Sequence, residues 1–412
     1  MKKEINNQIV LSQAPEGPIA GYIGSFAKSL SEQGYTRRSI YRQVLLAACF
    51  SRWLKQKGVP LRRITPDHPL RYLRYRARQL RPYRGDTAAL KHLLDFLRSK
   101  RAIPAGKISL RAMTPAERYT QAFEHYLREA RGLARATIVN YVPFVRTFLK
   151  DRFGHGPVTP SQLRAADIVR FVRQQAARLR PIRAKTLTSA LRSFLQYLRY
   201  RGEAKLDLSS AVPVVANWSM SSIPRAIAAD QVHQLLDSIE RCSAMGRRDY
   251  AILLLLARLG LRAGEVASLE LDDIDWNSGQ LSVRGKTGPR SHLPLPADVG
   301  KAITAYLQRG RPPCTSRRVF LRAKAPIHGF PGCSAIGSIV RHRLQRADID
   351  APTYGAHQFR HGLATDLLRQ GASLGEIGAL LGHRGPETTK IYTKVDIEAL
   401  RTLALPWPGG AR

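Results

Sequence analysis

Six residues in the C-terminal half have side chains suited to phosphate chemistry: Arg262, Lys286, His357, Arg360, His383 and Tyr392. Arg262 stands in Gly260-Leu261-Arg262-Ala263-Gly264-Glu265, just past a glycine that ends a helical pattern, so a bend can aim its long side chain into a cleft. Taken alone, it could equally pair with Glu265 at the start of a helix. Lys286 lies between glycines in Arg284-Gly285-Lys286-Thr287-Gly288-Pro289-Arg290, where a hairpin tip can bring one ammonium group to a substrate oxygen. Most lysines on such tips are simply solvated. His357 and Arg360 are three residues apart and therefore neighbours on one helix face. His383 and Tyr392 belong to Leu380-Leu381-Gly382-His383-Arg384-Gly385-Pro386-Glu387-Thr388-Thr389-Lys390-Ile391-Tyr392, where the ordinary role for the tyrosine would be packing at a helix contact.

The elements that must position these groups can be read from periodicity. Phe359, Leu363, Leu367 and Leu368 form the apolar stripe of a helix opened by His357. Leu374, Ile377, Leu380 and Leu381 form another, ended by Gly382, and Pro386 starts the next short helix, which carries Tyr392. Upstream, helices are predicted from about Ala229 to Ser243 and from Arg248 to Leu259. Asp273–Trp276, a turn at 277–279 and Gln280–Arg284 make a hairpin, with a further strand near Ser291–Leu295. The C-terminal half is thus mostly α with a small antiparallel sheet. His357 and His361 also have the i, i+4 spacing of a zinc pair. That alternative is disfavoured, because no glutamate intervenes and the cation Arg360 adjoins His361. No GxxxxGK[ST] loop and no acidic metal cluster is present, so neither ATP nor a metal is expected.

The 412 residues carry 67 Lys plus Arg against 30 Asp plus Glu, a formal net charge of +37. Self-repulsion on that scale opposes compaction, so an acidic polymer is the expected partner, and nucleic acid leads. The low-complexity tails of ribosomal or histone-like proteins are missing. No lipidation site or basic amphipathic anchor speaks for a membrane, and the opening residues lack the apolar stretch of a secretory signal. The expected location is therefore cytoplasmic, with the nucleoid. Cys49, Cys242, Cys314 and Cys333 show no CxxC pairing and are expected to be reduced, buried thiols.

Length favours two to three domains. Two N-terminal stretches resemble each other at roughly a hundred residues' separation. Gly34-Tyr35-Thr36-Arg37 and Gly132-Leu133-Ala134-Arg135 each open a helical pattern, and Ala-Arg-Gln-Leu-Arg-Pro at 77–82 matches Ala-Arg-Leu-Arg-Pro at 177–181. This reads as a duplicated all-α module, although helical bundles can also look alike by composition. Arg164, Arg170, Arg173, Arg178, Arg180 and Arg183 fill one side of the second copy with almost no interleaved acids after Arg170, which favours a phosphate-facing surface over a merely solvated one. Residues 213–224, with prolines at both ends, read as a linker.

In order and spacing, Arg262, Lys286, His357, Arg360, His383 and Tyr392 resemble the catalytic Arg, Lys, His-x-x-Arg, His and Tyr set of the tyrosine recombinase/phage integrase family. The likeness spans about Arg225 to Leu405, and a weaker one covers Pro115 to Ser210. Gly362-Leu363 in place of the usual Thr-Phe and Lys394 in place of a frequent histidine depart from the pattern without touching a catalytic position. The resemblance implies a mainly α chain. Helical DNA-binding modules, a SAM-like core-binding bundle in duplicate, precede a mixed α/β tyrosine recombinase catalytic domain with a small antiparallel sheet. The implied partition is 1–110, an extra N-terminal helical DNA-binding module; 111–212, the core-binding domain; 213–224, the linker; 225–405, the catalytic domain; and 406–412, a C-terminal tail. An arm-type domain is the other reading of the first 110 residues.

The implied activity is site-specific cleavage and rejoining of double-stranded DNA through a 3′-phosphotyrosyl bond to Tyr392. Arg262 and Arg360 would neutralise the transition state, His357 accept a proton, His383 bind phosphate and Lys286 act as general acid. Neither cofactor nor metal is implied. Assembly would be a tetrameric synapse on DNA, with partner recombinases or accessory proteins as further candidates. A type IB topoisomerase-like activity and a non-catalytic architectural DNA-binding protein are the alternatives.

Overall fold

The structure, a computed structural model, describes residues 14–81, 83–104, 113–204, 206–215, 224–285, 290–383 and 385–395. The described residues fall into two compact units, one within 106–221 and the other within 1–105 together with 222–412.

The first bundle comprises α1 (Ile23–Glu32), α2 (Arg37–Gln56), α3 (Asp67–Ala77) and α4 (Asp86–Ser99). The second comprises α5 (Pro115–Glu129), α6 (Arg135–Phe153), α7 (Ala165–Ala176) and α8 (Pro181–Tyr200). In both, apolar residues at three and four spacing turn inward. Ile40, Val44, Ala47 and Phe50 of α2 are buried, as are Ile138, Val142, Val145 and Phe148 of α6, each pair 98 residues apart. Phe50 meets Tyr72 of α3 with ring centroids 5.2 Å apart, and Phe148 meets Phe171 of α7, also at 5.2 Å. An aromatic pair at the same separation therefore closes both cores. The first bundle also touches the C-terminal half: Ile327 N donates to Gln33 O at 2.9 Å. Gly34, at φ +78°, takes part because a Cβ there would lie 2.5 Å from the Ile327 side chain.

The C-terminal half is built around α10 (Ala244–Leu259), which follows α9 (Ala229–Asp237). Ala251 to Leu256 are all buried, as expected of a helix that is apolar all round. Around it stand α11 (Ala263–Ser268), β1 (Ile274–Asp275), β2 (Gln280–Arg284), β3 (Arg290–Pro294), α12 (Ala297–Arg309), α13 (Cys333–Arg346), α14 (His357–Arg369), α15 (Leu374–Leu380) and α16 (Pro386–Thr389), continued by a 3-10 turn over Lys390–Val395. The strands form an antiparallel sheet in the order β1-β2-β3, with Arg284 opposite Arg290. Sheet and helices therefore lie where periodicity predicts them. The junction of α9 and α10 differs: α9 stops at Asp237 rather than Ser243 and α10 starts at Ala244 rather than Arg248, because Ser243 caps α10, its Oγ accepting from Gly246 N at 2.9 Å.

The cysteines correct another expectation. All four are free, but Cys49, Cys242 and Cys333 are exposed and Cys314 is half-buried. They sit on the open side of α2, in a turn, at a helix start and in a loop, where helical periodicity does not turn them inward. Of the linker, residues 216–223 lie outside the described residues.

Asp249 of α10 holds two buried guanidiniums. Its Oδ1 accepts from Arg248 Nη2 at 2.7 Å, and its Oδ2 accepts from Arg343 Nε at 2.8 Å and Nη2 at 2.6 Å. Arg248 Nη1 also donates to Leu321 O at 3.1 Å, so the cluster ties α10, α13 and the intervening loop together. Asp249→Ala would leave two buried cations without a counter-charge. We expect destabilisation of about 3–5 kcal/mol, read as a lower melting temperature of the full chain, whereas an unchanged melt would remove the cluster from the interactions that hold this half.

Candidate active site

Gly260 is the αL cap of α10 (φ +57°), a conformation strained for any side chain, and a Cβ there would press on Leu381 Cδ2 at 2.7 Å and Leu363 Cδ2 at 3.0 Å. Two residues later Arg262 caps α11. Its backbone N–H and its Nη1 both donate to the Glu265 carboxylate at 2.8 Å, and Nη2 points towards Gly382 O at 3.5 Å. The ion pair that sequence offered as a bland explanation does form, yet 39% of the arginine side chain stays accessible. Glu265 thus orients a guanidinium that can still meet a ligand.

Arg360, one turn into α14, is only 3% exposed. Nη1 donates to Gly260 O at 2.8 Å and Nη2 to Leu381 O, so the side chain joins the C-terminal ends of α10 and α15. Burial, then the neighbouring Arg262, lowers its pKa to about 10, which leaves it cationic at neutral pH.

His357 opens α14, and its ring meets that of His361 with centroids 4.4 Å apart. Surrounding protein, then the Arg360 and Arg262 cations, lower its pKa although the residue is largely exposed. His383 follows Gly382 at the end of α15; its Nδ1 is 2.8 Å from Thr389 Oγ1, and its ring lies parallel to that of Tyr392 at 6.5 Å. Tyr392, in the 3-10 turn, is 1% exposed. Its hydroxyl lies 3.0 Å from Nδ1 of His361. Burial raises the phenol's pKa while Arg360 and Arg262 pull it back, so both guanidiniums act on the phenol electrostatically.

Five of the six sequence candidates, Arg262, His357, Arg360, His383 and Tyr392, therefore converge on one site. Lys286, with 287–289, lies outside the described residues; β2 and β3 lead towards that tip. The phenol's hydrogen-bond partner is His361, while His357, the anticipated proton acceptor, meets the His361 ring. Sequence reading noticed His361 only as half of a zinc pair. The i, i+4 spacing that suggested zinc also places both rings on the face of α14 that meets the tyrosine. Thr389, the partner of His383, was missed as well. Among the described residues no group of three or more His, Cys, Asp or Glu is arranged to hold a metal ion. Nor is any described helix long and apolar enough to cross a membrane.

Comparison with known proteins agrees with this geometry. The sequence matches the phage integrase family over residues 225–398 and the phage integrase N-terminal SAM-like domain over 120–202. It is 58% identical to a putative integrase/recombinase, y4rA, of Sinorhizobium fredii, over 100% of both chains. It is 31% identical to the tyrosine recombinase XerD of Listeria monocytogenes serotype 4b, over 66% of this chain and 92% of that one. Its fold is similar to that of the XerH site-specific recombinase bound to palindromic difH substrate, with a TM-score of 0.57 at 19% identity over 84% of this chain and 99% of that one.

His361 and His383 are pushed down to about 4, mainly by burial, so the folded protein keeps both neutral at pH 7. In an unfolded chain they titrate near pH ~6.5. Their contribution is complete above that value and is lost as pH falls from about 6.5 towards 4, because the unfolded state then binds protons first. The melting temperature should drop across that window, and His361→Asn or His383→Asn should make the drop shallower; variants with the wild-type pH slope would contradict buried neutral imidazoles.

Proposed function

Since the chain belongs to the phage integrase family of tyrosine site-specific recombinases, we propose that Tyr392 attacks a phosphodiester in double-stranded DNA and forms a 3′-phosphotyrosyl intermediate, with neither metal nor ATP. The observation that carries this reading is the buried Tyr392 hydroxyl on a neutral imidazole, with two guanidiniums that offset part of the rise burial imposes on its pKa. Arg262 and Arg360 are the groups able to meet the non-bridging oxygens, where charge grows in the transition state. The phenol proton passes to His361 Nδ1 as the new oxygen–phosphorus bond forms. His357 and His383 line the phosphate position, and Lys286, between β2 and β3 in the sequence, gives a proton to the departing 5′ oxygen. One phosphoester replaces another, so the phosphotyrosine keeps the bond's energy for rejoining to a second 5′ hydroxyl.

The second bundle, which matches the SAM-like domain, is the core-binding unit, with 213–224 as linker and 225–405 as catalytic domain. The first bundle, within 1–110, adds a further DNA-binding module. Four protomers form the synapse on two duplexes, alone or with a partner recombinase, in the cytoplasm.

A nicked duplex site that traps the cleaved strand tests the chemistry. Tyr392→Phe should bind that DNA within a few-fold of wild type but give no covalent adduct, and Arg262→Ala should slow adduct formation at least ~10²-fold. An adduct that survives loss of the Tyr392 hydroxyl would overturn the assignment. Relaxation of one supercoiled duplex without exchange between two would point instead to topoisomerase-like activity.

A further inference from the structure

The first bundle contains a cleft of about 1070 Å³ that the strand-transfer chemistry leaves unused. Its walls come from α2, the end of α3 and the start of α4. Arg38, Arg42, Trp53, Tyr75 and Tyr83 are among its lining residues, and Asp86 is the one acidic residue on the walls. Asp86 is itself paired with Arg76, so the remaining charge of the lining is positive. The aromatic content is unusual for a solvated surface. The Arg42 guanidinium lies 3.5 Å from the centroid of the Tyr83 ring, Tyr83 is 53% exposed and Tyr75 is 39% exposed. Trp53 stands behind Tyr75, and its buried indole N–H has no hydrogen-bond partner.

The matching place in the second bundle is arranged differently. Arg183 of α8 crosses to Asn140 of α6 at 2.9 Å and lies over Phe144, bridging the two helices. The counterpart of Asn140 in the first bundle is Arg42, which lies on the Tyr83 ring. Divergence between the copies has thus produced a concave site lined with exposed rings and arginines.

Positive lining calls for an anionic occupant, and another copy of a chain with net charge +37 is repelled. Exposed tyrosines call for flat faces to stack on. A duplex hides its base faces and offers only groove edges and phosphates, whereas an unpaired strand offers both faces and phosphates. We propose that this cleft binds an unpaired DNA strand, with bases stacked on Tyr75 and Tyr83 and phosphates on Arg38 and Arg42. The inference rests on the reading of the chain as a DNA strand transferase, in which cut strands leave one duplex before they pair in another. The first bundle then serves the strand in transit.

The test uses the full chain and two fluorescein-labelled probes of equal length, a single-stranded oligothymidylate and a duplex, by anisotropy at roughly 0.2 M salt, where weak phosphate contacts are suppressed. Arg42→Ala and Tyr83→Ala should each weaken single-strand binding about fivefold or more, leave duplex binding within about twofold, and leave covalent adduct formation at a duplex site intact. Tyr83→Phe, which keeps the ring, should restore single-strand binding. Equal weakening of both probes would make the cleft a general phosphate contact, no change in either would show that DNA does not use it, and stronger competition by an acidic peptide than by oligothymidylate would assign it to a protein; each result overturns the proposal. Loss of the adduct in wild type with single-strand selectivity intact would instead strike the catalytic reading alone.

Discussion

One buried guanidinium organises the catalytic half. Arg360 gives two of its N–H donors to carbonyl oxygens at the C-terminal ends of two helices, where the backbone leaves acceptors unpaired and the helix dipole favours a cation. The same contacts fix the two turns from which Arg262 and His383 project. The charge is kept although burial opposes it, since a pKa of about 10 still leaves the group protonated at pH 7. Structure and chemistry therefore share one side chain: the residue suited to neutralising a phosphorane also determines where its helpers stand.

Much of this frame is legible in sequence because it depends on local rules. The stripe of α14, the glycine cap of α10, the Pro386 helix start and the hairpin strands follow from periodicity and from residues with narrow conformational preferences. What could not be read depends on distant partners. Arg360 meets carbonyls 100 and 21 residues away, so its burial has no signature in its own neighbourhood. His361 was visible as half of an i, i+4 pair, but which ligand the pair faces is decided by the return of the chain at Tyr392. The exposed cysteines fail the usual expectation for the same reason, since their surroundings are set by bundle geometry. The six-residue chemistry was legible as a pattern of types and order, and the structure brings its five described members into one place.

The two helical bundles share a pattern of core positions and differ on the surface. Their interiors keep equivalent apolar positions and an aromatic pair at the same separation, because close packing tolerates little change in volume. Their outer faces answer to no such constraint. Asn140 joined to Arg183 in one copy, and Arg42 laid on Tyr83 in the other, give different surfaces on one scaffold.

The burial of Tyr392 bears on fidelity. A phenol 1% exposed, with its hydroxyl engaged by a neutral histidine, offers little to a stray phosphate that brushes the protein. The short segment from Gly385 to Val395 must first yield, and the free energy of that opening sets a threshold. Contacts that favour the shut and open forms alike cannot shift that balance. Only a duplex that grips the site better when the tyrosine is out shifts the balance. Access to the phenol is thus tied to a local opening of the resting fold.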